Sequence, residues 1–264
     1  MPTEFQRNFD REAEGYDHAR PEYPKELYED VFAYQPLNSG SRALEIGLGT
    51  GKASGPVLNT GCGLTGLEPG GNLLALARKR LGSYENLTLH ELTLQDYDCP
   101  DSTFDLIYAA TAFHWIPEEY GYKRVYGLLR PGGAFARFAY HAGPDRERRE
   151  LTGEVYELYR RYMNGGKGEY KPLTYSDRDR LLAIPQKYGF TETEFRLYEF
   201  TKDFTAGEYM GLLRTYPDHM SLEPHNREGL FSGIYDAIER HGGVMTVYYT
   251  VDLELARKPG QAVK

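Results

Sequence analysis

The chain has only two cysteines, Cys62 and Cys99, and one tryptophan in 264 residues. The cysteines stand in unrelated contexts, so neither a disulfide framework nor a zinc spacing can be drawn, and a reducing cytoplasm is the expected setting. No H-E-x-x-H is present, and His219 and His225 lie at no metal spacing from a cysteine; no metal site is expected. No G-x-S-x-G elbow occurs. No stretch approaches the ~18 apolar residues of a membrane span, and Met1 to Arg20 carries charge and no apolar run, so neither a span nor a signal peptide is read. Excess positive charge is missing too: the net charge is −8, which argues against nucleic acid as an obligatory partner, because phosphate binding needs a basic face. Tyrosine, by contrast, is abundant, with 23 copies. Tyrosines commonly sit half-buried at core edges, and they also line pockets.

The length allows one large domain or a domain with insertions. Through residue 140, apolar runs that read as strands alternate with helical patterns, which predicts a doubly wound, Rossmann-like parallel α/β sheet. A helix is expected over Pro24–Tyr34, with Pro24 at its start and Leu27, Val31 and Tyr34 on one face. Strands are expected at Ala43–Ile46, Leu64–Leu67, Leu87–Leu94, Phe104–Ala110 and Ala134–Tyr140, the last after a turn at Leu128–Gly133. Beyond residue 140 come amphipathic helical stretches, a break at Gly165–Gly168, a sixth strand over Thr191–Phe204 and a final one over Val244–Ala256. Segments 142–180 and 205–240 therefore stand outside the common sheet, as cap insertions after strands five and six of a single domain spanning 1–264.

The stretch Leu44-Glu45-Ile46-Gly47-Leu48-Gly49-Thr50-Gly51 organises this pattern. It is the end of a buried strand running into a turn where glycine at every second position permits sharp bending and close approach of a ligand. A dinucleotide fingerprint would need a third glycine where Lys52 stands. A P-loop would need glycine at Ile46 and Ser or Thr at Ala53. What remains is acidic-x-G-x-G-x-G.

That motif resembles the first motif of the class I S-adenosylmethionine-dependent methyltransferases. Three further stretches carry the same resemblance: Tyr16-Asp17-His18-Ala19-Arg20-Pro21-Glu22-Tyr23-Pro24, the run Phe104 to Trp115 (F-D-L-I-Y-A-A-T-A-F-H-W), and Leu128-Leu129-Arg130-Pro131-Gly132-Gly133. They are similar to the methyltransferase type 11 group, most closely its trans-aconitate methyltransferase-like branch. The resemblance implies a seven-stranded sheet with the last strand antiparallel, and S-adenosyl-L-methionine as cofactor. It implies that Glu45, Gly47, Gly49 and Gly51 form the cofactor turn, and that Glu68, ending strand two, accepts from the ribose hydroxyls. Leu94, Gln95 and Asp96 border the adenine side, and Ala110 is a further cofactor-binding position; relatives often carry an acid where Gln95 stands, so either Gln95 or Asp96 supplies the adenine contact. Tyr16 closes over the methionine end and Arg20 meets its carboxylate. His114 lies near the reacting methyl, as a catalytic candidate or as a hydrogen-bonded core residue. His141, Arg214 and Tyr216 are the candidate substrate-binding residues. The implied reaction is methyl transfer to an oxygen, nitrogen or carboxylate of a small-molecule acceptor. Two other readings stand beside it: a cofactor-binding regulatory protein without turnover, and a macromolecular methyltransferase. The second is disfavoured by the acidic balance and by His114-Trp115 standing where an N-P-P-Y-like tetrad would be.

Overall fold

The computed structural model of the protein describes residues 19–163 and 170–260. Tyr16 and the Gly165–Gly168 break lie outside the described residues. The elements in chain order are α1 (Lys25–Tyr34), β1 (Arg42–Ile46), α2 (Ser54–Leu58), β2 (Gly63–Leu67), α3 (Gly71–Leu81), β3 (Leu87–His90), β4 (Phe104–Ala110), a 3-10 turn (Phe113–Trp115), α4 (Glu118–Leu128) and β5 (Leu129–Gly143). There follow α5 (Arg149–Tyr162), a second 3-10 turn (Tyr175–Asp177), α6 (Arg178–Lys187), β6 (Thr191–Thr205), α7 (Ala206–Arg214), α8 (Pro217–Met220), α9 (Pro224–Arg240) and β7 (Val244–Arg257). The strands form one seven-stranded sheet in the order β3-β2-β1-β4-β5-β7-β6, with the last strand antiparallel to its neighbours. Strand order reverses between β1 and β4, which makes that edge the switch point where open α/β sheets hold ligands.

The chain divides into two compact units. One comprises 22–140, 174–198 and the residues from Val251 onward; the other comprises 141–173 and 199–250, with the residues up to Pro21. The second unit thus takes in 205–240 and most of 142–180, while residues 174–180 fall in the first.

In the first unit β1, β2 and β4 are largely buried, as strands covered by helices on both faces require, whereas the edge strand β3 is only partly buried. Leu44, Ile107, Ala109, Leu128, Leu129 and Phe135 form the centre of its apolar core. The register places Leu44 beside Thr65 on one side and Ile107 on the other. Two expectations are corrected here. Strand three stops at His90 rather than Leu94, because the Thr93 hydroxyl donates to Asp96 Oδ2 (2.6 Å) and the Asp96 N–H bonds the Thr93 carbonyl (3.2 Å), closing a turn. Strand five begins at Leu129 rather than Ala134. Arg130–Gly133 is an irregularity within the strand, its register shifting between Phe104 and Leu106 of β4. It is held in the sheet because Gly132 N–H donates to Lys258 O and Lys258 N–H to Gly133 O, both at 2.9 Å.

The second unit is built on helices. Asp145 Oδ1 accepts the N–H groups of Glu147 and Arg148 just before α5, and Thr205 and Glu208 form a reciprocal capping box on α7. Helix α9 packs on α5 and α7. Its Gly229 and Gly233, one turn apart, let α5 approach: a Cβ on Gly229 would lie 2.5 Å from the Tyr162 ring, and one on Gly233 2.6 Å from Leu158. Among the described residues no helix is long and apolar enough to cross a membrane.

This contact makes the sign of a helix substitution depend on its partner. Gly229→Ala should destabilise the protein in urea unfolding, because overpacking outweighs helix propensity. In a Tyr162→Ala background the same change should stabilise it, by up to about 1 kcal/mol of propensity. An equal effect in both backgrounds would show that Tyr162 does not set the spacing.

Candidate functional site

The glycine turn leaves β1 with three left-handed residues in alternation: φ is +69° at Gly47, +59° at Gly49 and +80° at Gly51. Only glycine adopts this backbone without strain. The three positions differ in what surrounds them. A Cβ at Gly47 would stand 2.5 Å from the Ala112 Cβ, and one at Gly51 2.6 Å from Leu81; at Gly49 nothing lies within 4 Å among the described residues. Gly47 and Gly51 therefore pack the turn against its own unit, while Gly49 turns an open face outward.

Glu68, just past β2, fastens the turn. Its Oε2 accepts the Gly49 N–H and its Oε1 the Gly70 N–H, both at 2.8 Å. The carboxylate thereby links the glycine turn after β1 to the turn that starts α3, at the switch-point edge. Glu45 lies behind the turn and is 0% exposed. Its Oε2 accepts from the Ser54 hydroxyl (2.6 Å) and the Tyr108 hydroxyl (2.7 Å), while its Oε1 is buried with no hydrogen-bond partner among the described residues. Burial pushes its pKa up to about 7, against the opposing pull of those two hydroxyls. Its contacts therefore bear on the start of α2 and the middle of β4.

At the end of β4 the backbone is strained. Thr111 has φ +53°, an outlier for a β-branched residue and a cost of order 1–3 kcal/mol. It is held there by its N–H on the Phe138 carbonyl (2.8 Å) and by its hydroxyl on the Tyr23 hydroxyl (2.7 Å). Neither Thr111 nor Tyr23 stood among the expected site residues. A threonine gives no sequence sign of a left-handed backbone, although Tyr23 lay inside the N-terminal motif. The strain launches the 3-10 turn that carries His114 and Trp115. His114 is exposed, its ring 4.9 Å from the Trp115 ring, so it does not occupy a core position. Of the other cofactor candidates, Leu94 is buried, Ala110 is half-buried, and Gln95 and Asp96 are exposed. All belong to the unit that holds the glycine turn.

The remaining candidates belong to the other unit. Arg20 is buried there; its Nε donates to the Thr215 hydroxyl (3.1 Å), its Nη2 to the Thr215 carbonyl (3.3 Å), and its guanidinium lies 4.3 Å above the Tyr216 ring. Arg214 is exposed, with its guanidinium 5.8 Å from the Phe231 ring centre. This unit encloses a cavity of about 290 Å³, lined by Tyr156, Tyr159, Tyr170, Tyr209 and Tyr216 together with apolar residues of α5, α7 and β7. Tyr216 lines it, whereas His141 and Arg214 are not among the described residues on its wall. Among the described residues no group of three or more His, Cys, Asp or Glu side chains is placed to hold a metal ion.

The raised Glu45 pKa has a consequence for stability. A carboxyl that titrates near 7 folded and near 4.5 unfolded binds more proton in the folded state between those values. Its stabilisation is full below about pH 4.5 and is lost as pH rises through about 7. Glu254, also raised to about 7 by burial, contributes with the same sign. Urea unfolding should show the protein less stable at pH 8 than at pH 5. Glu45→Gln should remove about 3 kcal/mol of that difference, at ~1.4 kcal/mol per pKa unit. An unchanged pH dependence in the variant would mean that Glu45 titrates normally.

The methyltransferase-domain family matches residues 43–133, from β1 into β5. Demethylmenaquinone methyltransferase of Tropheryma whipplei is 25% identical over 218 residues, covering 75% of this chain and 88% of its own. Malonyl-[acyl-carrier protein] O-methyltransferase of a Marinomonas species is 31% identical over 136 residues, 48% of each chain. Among solved structures, an Anaeromyxobacter dehalogenans protein provisionally assigned as a type II methyltransferase superposes with a TM-score of 0.66 at 21% identity, covering 92% of this chain and 99% of that one; at that identity the likeness concerns the fold. The matched segment is the one that carries the glycine turn, Glu68 and the strained end of β4, and the chain is accordingly an S-adenosylmethionine-dependent methyltransferase.

Proposed function

We propose that the chain methylates a small-molecule acceptor, and that the turn at Gly47, Gly49 and Gly51 together with Glu68 holds the cofactor. The observation that carries this is the open face of Gly49 beside a carboxylate whose two oxygens each accept a backbone N–H. Glu68 is assigned to the ribose hydroxyls, for which an ionised carboxylate is an acceptor-only partner. The residues present fit S-adenosylmethionine, which when bound supplies a methyl group activated by positive sulfur. The protein's own task is then alignment and exclusion of water. Leu94, Gln95 and Asp96 are assigned to the adenine side, Ala110 to the cofactor site, and Tyr16 and Arg20 to the methionine end. Glu45 is assigned a supporting role, through Ser54 and Tyr108. His114 is assigned to the acceptor side as a proton acceptor, a role needed only where the acceptor carries a proton at neutral pH. His141, Arg214 and Tyr216 are assigned to acceptor binding, with Tyr216 supported by its place on the cavity wall. The finer resemblance to the trans-aconitate methyltransferase-like branch is kept as a proposal of kinship. It is not extended to a tricarboxylate acceptor, since no lysine or arginine is among the described residues lining the cavity. The setting we propose is the cytoplasm, with neither nucleic acid nor membrane as partner.

Calorimetry tests the cofactor assignment. S-adenosylhomocysteine should bind with micromolar-scale affinity, about −8 kcal/mol. Glu68→Ala, with folding checked by circular dichroism, should weaken binding by about 1.5–3 kcal/mol for each hydrogen bond removed. An unchanged affinity would remove Glu68 from the cofactor site.

Selectivity gives an independent check. NAD(H) and ATP–magnesium should not raise the melting temperature, because Lys52 and Ala53 break both phosphate-binding templates. A shift equal to that given by S-adenosylmethionine would overturn the cofactor class.

A further inference from the structure

The strained residue that ends β4 is held from both sides of one bond. Thr111 has φ +53°, and φ is the rotation about its N–Cα bond. On one side of that bond the Thr111 N–H donates to the Phe138 carbonyl (2.8 Å). On the other side its hydroxyl lies 2.7 Å from the Tyr23 hydroxyl. Either contact alone leaves the bond free to turn; the two together fix the angle. The two anchors are also fixed to one another. The Tyr23 ring stands edge-on to the Phe138 ring at 4.9 Å and lies 5.6 Å from the Tyr140 ring. Tyr23 itself is delivered by stiff chain. It precedes Pro24, which restricts it to extended backbone, and α1 follows at once, anchored by buried Leu27, Tyr28 and Val31.

The next residue carries this angle to the glycine turn. The Ala112 methyl fills the space that a side chain at Gly47 would need, since a Cβ there would lie 2.5 Å from it. Behind that contact the turn is hydrogen-bonded throughout. The Gly47 and Leu48 N–H groups donate to the Leu67 carbonyl (2.9 and 3.0 Å), the Gly49 N–H to Glu68 Oε2 (2.8 Å), and the Gly51 N–H to the Leu48 carbonyl (3.0 Å). Ala112 thus closes the Gly47 end. A β-branched residue favours negative φ. Were Thr111 to relax there, its carbonyl and the chain after it would swing, and the Ala112 methyl would leave Gly47. The opposite end of the turn is held more weakly. Glu22, beside Tyr23, pairs with Lys52 (3.0 Å), immediately past Gly51, but the Glu22 side chain is 60% exposed, and exposed pairs contribute little.

We propose that Tyr23 is a positioning residue for the cofactor turn. Its hydroxyl keeps Thr111 left-handed, and Thr111 keeps Ala112 on Gly47. The turn is thereby set before the cofactor arrives, and binding does not have to order it. The effect runs through the backbone angle rather than through the hydrogen bond as such. A residue at home in left-handed backbone needs no hydroxyl to hold it there, and glycine is that residue. The role in cofactor binding rests on the assignment of the Gly47–Gly51 turn to the cofactor, while the coupling of Tyr23 to the turn rests on these contacts alone.

Four variants of the full-length protein separate the lost hydrogen bond from the backbone angle. Tyr23→Phe and Thr111→Val each delete the hydroxyl contact and keep a β-branched residue in the strained position. In calorimetry each should weaken S-adenosylhomocysteine binding by about fivefold or more. Thr111→Gly deletes the same contact but removes the strain with it, and should bind within about twofold of wild type. Tyr23→Phe combined with Thr111→Gly should match Thr111→Gly, so that glycine rescues the lost hydroxyl. A general structural loss on removing that hydroxyl would persist in the double variant. Hydrogen exchange without ligand gives a second readout. The Gly47, Leu48, Gly49 and Gly51 amides should exchange several-fold faster in Tyr23→Phe than in wild type, and more slowly again in the double variant. The proposal is overturned if Tyr23→Phe binds S-adenosylhomocysteine as wild type does, or if Tyr23→Phe leaves the exchange of those amides unchanged. It is also overturned if Thr111→Gly binds as weakly as Thr111→Val, or the double variant as weakly as Tyr23→Phe. A wild-type protein that binds no S-adenosylhomocysteine removes the cofactor assignment alone. Exchange then decides whether Tyr23 sets the turn: faster exchange in Tyr23→Phe upholds the coupling and an unchanged rate overturns it.

Discussion

The carboxylate of Glu68 ties together two turns that would otherwise be independent. One follows β1 and the other follows β2, and each presents a backbone N–H to a different oxygen of the same side chain. Charge-assisted bonds of this kind are stronger than neutral ones, and here they hold the one glycine of the turn whose face is open. Gly47 and Gly51 serve the same end from below, by steric contact with Ala112 and Leu81. The turn is thus fixed on its packed side and left bare on its outer side, as a surface that must admit a ligand closely requires. Glu45 adds a second layer of support beneath it. A fully buried carboxyl with one oxygen that finds no hydrogen-bond partner among the described residues is an expensive way to hold Ser54 and Tyr108, and its cost is reduced when it keeps its proton.

Much of the first unit was legible because its constraints are local. Buried parallel strands read as apolar runs, alternating glycines announce a turn, and an acid at the end of the second strand is recognisable by position. The misplaced boundaries share a cause. Apolar alternation extends strand three through Leu94, but a hydroxyl–carboxylate turn between Thr93 and Asp96 competes with the ladder. Arg130–Gly133 has the composition of a turn, yet its glycines exchange backbone hydrogen bonds with Lys258, a partner distant in sequence. The left-handed Thr111 contradicts its own residue type and became visible only through the bonds that hold it; such disagreements between local preference and structure concentrate at functional sites.

The second unit was less legible for a different reason. A buried hydrogen bond joins α5 to α8 across sixty positions of chain, between Tyr159, with the spacing of a core residue, and His219, whose sequence neighbours suggest no chemistry. Sequence pattern identifies the helices but not which side chains of separate helices converge. Arg20 makes the same point. A guanidinium near the N-terminus reads as a ligand for a carboxylate, and the structure adds that two of its nitrogens are engaged by Thr215 and that its face is stacked on Tyr216. Its position is thereby set by the cavity-bearing unit.

The single indole of the chain stands on the 3-10 turn that follows the strained Thr111, 39% exposed and stacked at an angle beside the His114 imidazole. The protein therefore carries one intrinsic fluorophore, at the end of β4, surrounded by a large population of tyrosines able to pass excitation energy to it. Its emission reports the polarity and the protonation of one place rather than an average over the molecule. Events at that turn can be followed optically, in real time, without attaching a dye to Cys62 or Cys99.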